Sequence, residues 1–65
     1  MSQREATLLW LKDTLEHMTD CQKQLEWAQD AESVNLLTES IIRDLENCRR
    51  LCESMRQRAN LQYTH

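Results

Sequence analysis

The chain has 65 residues, 40 % of them apolar and 29 % charged, with a formal net charge of −3. That is room for one domain, and too apolar a composition for a disordered tail. The acidic balance does not suit a general binder of phosphate backbones, whose affinity comes from lysine and arginine, and the longest apolar run, Leu8 to Leu11, is far short of the ~20 residues of a membrane helix. Three cysteines and no secretory leader point to a reducing cytoplasm with free thiols.

Neither glycine nor proline occurs, and most residues favour helix. Ser2, followed three residues later by Glu5, reads as a capping box, so a first helix is predicted from about residue 3 to about 29. Within it Leu8, Leu11, Leu15, Met18, Cys21, Leu25 and Ala28 recur at steps of three and four. They cover an arc of roughly 160°, with Trp10 at one edge. A two-stranded seam needs a narrower stripe, so this helix expects neighbours on more than one side.

A turn is predicted at about 29–32. Residues 29–33 carry no large apolar side chain, and Asp30 is a good N-cap for a second helix over about 31–60. That helix repeats the pattern with Val34, Leu37, Ile41, Leu45, Cys48, Cys52, Met55 and Ala59. Its other face sets Glu39 and Glu46 four residues ahead of Arg43 and Arg50, a favourable spacing for ion pairs. Residues 61–65 are expected to fray.

Folding the halves antiparallel sets apolar against apolar: Ala28 with Val34, Leu25 with Leu37, Met18 with Leu45, Leu15 with Cys48, Leu11 with Cys52 and Leu8 with Met55. The expected fold is all-α, an antiparallel two-helix hairpin spanning residues 1–65 as one domain. Two helices leave the wide face of the first uncovered, so two hairpins are expected to pair as a homodimeric four-helix bundle. The seam would hold Leu11, Leu15, Met18, Leu25, Ile41, Leu45, Cys48 and Cys52, joined by Leu8, Val34, Leu37 and Met55. Trp10 and Cys21 would lie at the dimer flank.

With Ser2, Glu5, Thr7 and Leu9 near the start, Asp30–Ala31 at the turn, and Glu39, Ser40, Ile41 and Cys52 in the second helix, the chain resembles the Rop (Rom) family of plasmid RNA-binding hairpins. The resemblance implies a homodimeric antiparallel four-helix bundle and a regulatory RNA-binding role. Two departures are plain. The family's core positions on helix 1 fall on Lys12, Thr19, Gln22 and Glu26, and its RNA-contacting face on Gln3, Trp10, Thr14, Met18 and Leu25, none of which is positively charged.

For chemistry of its own the sequence offers little. There is no glycine-rich phosphate loop and no nucleophile–base motif, so no enzyme activity and no cofactor are expected. Cys48 and Cys52 stand one turn apart and could hold two corners of a metal site, but buried free cysteines are commonly small apolar residues; no metal is assigned. His17 and Cys21 share a flank of the first helix. Trp27, on a charged back face, and Arg49 and Arg56 are candidate partner contacts. The expectation is a small non-enzymatic interaction or regulatory module whose partner is a second copy of itself or another helical protein. The alternative is RNA binding of Rop type through Arg49, Arg50, Arg56 and Arg58.

Overall fold

The structure, a computed structural model, describes residues 2–63, with side chains as far as Leu61. It is a hairpin of two antiparallel helices, α1 (Gln3–Trp27) and α2 (Ala31–Tyr63). α1 ends two residues before its predicted end. α2 runs three residues past its own, through part of the segment expected to fray; Thr64 and His65 lie outside the described residues.

The capping residues read from the sequence are in place. Ser2 Oγ accepts from the Glu5 N–H at 3.1 Å, and the Asp30 carboxylate accepts from the Ser33 N–H at 3.0 Å. Each satisfies a first-turn donor that has no partner inside its helix. Between them Ala28 leaves α1 in an extended conformation, φ −70° and ψ 129°, its N–H donating back to the Leu25 carbonyl at 3.3 Å. No described residue has positive φ. The bend therefore uses no left-handed residue, and the missing glycine carries no strain.

The side chains that face the other helix follow a seven-residue repeat. On α1 the rows are Leu11–Met18–Leu25 and Thr7–Thr14–Cys21–Ala28; on α2 they are Val34–Ile41–Cys48–Met55 and Leu37–Asp44–Leu51–Arg58. All of these side chains are buried or half-buried, as the a and d rows of an antiparallel coiled coil should be. The register is read from contacts. Arg58 Nη1 lies 3.5 Å from Thr7 Oγ1 and Cys48 Sγ lies 4.0 Å from Met18 Sδ. Thr14 and Leu51 line one hollow, Ala28 and Leu37 another.

This register corrects the pairing expected from sequence by close to one helical turn: Met18 meets Cys48, where Leu45 was expected. Its cause is the small row on α1. Threonine, cysteine and alanine at every seventh position let α2 approach along that line, and Thr7 and Thr14 return their hydroxyls to the Gln3 and Trp10 carbonyls of their own helix, so only their methyl groups need burial. The apolar residues beside that row are displaced outward. Leu15, Leu45 and Cys52, expected in the seam, are exposed, as is Leu8. Cys21, expected at a dimer flank, is instead the most buried apolar side chain of the seam among the described residues, 4 % exposed.

The hairpin is a single layer. Its Cα envelope measures 54 × 20 × 12 Å, the last about one helix thick. Among the described residues no large side chain is fully buried. Globular domains need two packed layers to enclose a core; this one has a seam.

Candidate functional site

Two features are candidates for function, on opposite broad faces of the layer. The first is apolar. Leu8 and Leu15 follow the Leu11–Met18 row around α1, and Leu45 and Cys52 follow the Cys48–Met55 row around α2. In an antiparallel pair these like flanks share one face. All four are exposed, and Ile42 extends the patch along its α2 edge. The elongated layer as a whole exposes 5496 Å² at 7.8 kDa, against about 4,400 Å² for a compact monomer of that mass.

The opposite face carries the second feature. Trp10 lies there, 61 % exposed, over a hollow shared with Asp13, Thr14, Asn47, Arg50 and Leu51. Two and three turns beyond Trp10 along α1 come His17 and Cys21. Asp44 reaches them from α2, where it occupies a seam position that a coiled coil normally gives to an apolar residue. It is 8 % exposed, the one buried acid among the described residues. Its Oδ2 is hydrogen-bonded to His17 Nδ1, and His17 Nε2 lies 3.9 Å from Cys21 Sγ. One donor atom from each of the three residues falls within 4.8 Å of the others. Burial of a lone carboxylate is costly, and the imidazole is what offsets it here.

The order carboxylate–imidazole–thiol is also that of a nucleophile relay. The surroundings do not suit that use. The sulfur is buried in mid-helix, where neighbouring backbone N–H groups are consumed by the helix and none is left to hold an oxyanion.

The remaining thiols are separate from this cluster. Cys48 is half-buried and Cys52 exposed. The Cys48 pKa is raised above the ordinary thiol value, first by burial and then by the negative charges of Cys52 and Asp44, so it is a neutral thiol at physiological pH.

The candidate partner contacts are scattered. Trp27 is 82 % exposed beside the turn. Arg49 pairs with Glu46 at 3.6 Å and Arg56 with Glu53 at 2.6 Å. Arg50 donates to Asn47 Oδ1 at 2.5 Å, in place of its expected partner Glu46, and Arg58 crosses to Thr7. The C-terminal arginines thus engage neighbours on the hairpin, and both glutamates offset charge that a phosphate would have used.

Sequence reading missed Asp44 because it followed apolarity. Leu45 stands beside it and continued the stripe. The signal that finds Asp44 is the period: Leu37 and Leu51 are apolar at seven-residue spacing on either side of it.

Among the described residues no helix is long and apolar enough to cross a membrane. Comparison of the chain with protein-family models, curated proteins and solved structures finds no match. The fold and its two faces define the class, an α-helical hairpin with one exposed apolar side.

Proposed function

We propose that this protein is a small non-enzymatic interaction module that acts as a homodimer, two hairpins pairing through the Leu8–Leu15–Leu45–Cys52 face into a four-helix bundle. The observation that carries this reading is the single-layer fold, in which no large side chain is fully buried among the described residues while four apolar ones stand together on one face. A second copy supplies a face of matching chemistry and length.

The test is absolute mass by light scattering after size exclusion, in reductant, at low micromolar concentration. A mass of twice 7.8 kDa is expected, falling to the monomer value for the double variant Leu15→Glu, Leu45→Glu. A monomer at every concentration would overturn the reading and leave that face for another helical protein.

A further inference from the structure

We propose that His17, Cys21 and Asp44 form a binding site for a borderline-soft divalent cation of the Zn2+ type, with Cys21 Sγ and His17 Nε2 as ligands and Asp44 holding the imidazole in place. Three features converge on it. The first is spacing. A tetrahedral zinc with bonds of about 2.3 Å to sulfur and 2.0–2.1 Å to nitrogen sets those two atoms about 3.6 Å apart; they stand at 3.9 Å, so closure needs about 0.3 Å. The two residues are four apart on α1, the same one-turn spacing by which a histidine pair on one helix face chelates zinc.

The second feature is the tautomer. With Asp44 accepting from Nδ1–H, the lone pair of the neutral ring lies on Nε2, directed to the sulfur side. A carboxylate on the far nitrogen is the usual support of a metal-bound histidine. Asp44 comes from the other helix, so the carboxylate support for the imidazole is present only when the hairpin is closed.

The third is charge and access. The thiolate and the adjacent carboxylate together balance a dication, and a nitrogen–sulfur pair selects zinc-like ions over calcium or magnesium, which take oxygen. The His17 side chain is 55 % exposed, which leaves a path from solvent to Nε2. On binding, the thiol proton leaves to solvent as the sulfur–metal bond forms. The site lies on the face opposite Leu15 and Leu45 and is independent of pairing between copies.

The probe is Co2+ alone, titrated into reduced protein carrying Cys48→Ser and Cys52→Ser, so that Cys21 is the one thiol. Saturation of thiolate-to-cobalt charge-transfer absorption at one ion per chain is expected, with displacement by Zn2+ and a Tm that rises with metal. Asp44→Asn should weaken binding by about 10–100-fold. His17→Gln, whose amide can still donate to the Asp44 carboxylate, should abolish the band while circular dichroism checks that the helices remain, as should Cys21→Ala, which preserves a small apolar side chain in the seam. Absence of the band at millimolar Co2+ would overturn the site. So would a band that persists in His17→Gln or Cys21→Ala.

Discussion

Cys21, Cys48 and Cys52 meet three environments within one hairpin: buried, half-buried with a raised pKa, and exposed. The thiolate is the reacting species, so rate follows access and pKa together. In metal-free, dilute protein near pH 8, iodoacetamide should modify Cys52 first, then Cys48, and Cys21 last. Peptide mapping over time reads the order. Raising protein concentration should slow Cys52 selectively, because its sulfur lies on the face assigned to the second copy. Asp30 gives a pH signature of the opposite kind. Its pKa is lowered from 3.8, chiefly by the hydrogen bond from the Ser33 N–H and then by the Ser33 side chain. A carboxyl depressed on folding stabilises the folded chain above its unfolded pKa, and that contribution is lost as pH falls through the folded value. Thermal melts should show a loss of stability below about pH 4. Asp30→Asn keeps the cap without a titrating group and should flatten that part of the profile, whereas Asp30→Ala should lower Tm at neutral pH too.

At the scale of the helices, the decisive distinction is between rows that face the other helix and rows one step outside. Leu11 is half-buried against α2, while Leu8 is exposed. In a background held monomeric by Leu15→Glu and Leu45→Glu, Leu11→Ala should cost about 2 kcal/mol, the low end for a core leucine because burial is partial. Leu8→Ala should cost about 0.5 kcal/mol or less there. Urea melts of the two variants check the pair, and equal losses would place the seam elsewhere. The same distinction marks what the sequence made legible. Helix identity, both caps and the bend near residue 30 were readable, because each rests on local chemistry: Ser2 and Asp30 as acceptors, and a gap in the apolar stripe. The register was not. It depends on which row is small enough for two backbones to approach, and Thr7, Thr14 and Cys21 are less conspicuous than Leu8 and Leu15. The His17–Asp44 contact was hidden for the same reason, since the register decides which α2 residue arrives beside α1.

For the whole molecule, a layer one helix thick sets the terms of stability. A hairpin this small has little apolar burial to set against the ordering of its backbone. The proposed pairing through the Leu15–Leu45 face and the proposed ion binding at His17 and Cys21 would both be linked to the folded form, and each would raise its apparent stability by mass action. They act on opposite faces, so protein concentration and metal should shift the melting transition additively.

The bend between the helices carries a separate consequence for how this fold tolerates change over generations. Ala28 turns the chain in the extended region, and no residue there has positive φ, so any L-amino acid can stand at Gln29 without a steric cost. The Asp30 carboxylate is bound to a specific task, and Ala28 to the small row of the seam. Such a loop can drift in sequence while the helices it joins stay in register. Homologous hairpins of this kind need share no loop motif; the seven-residue row of small side chains is the trait by which descent would remain visible.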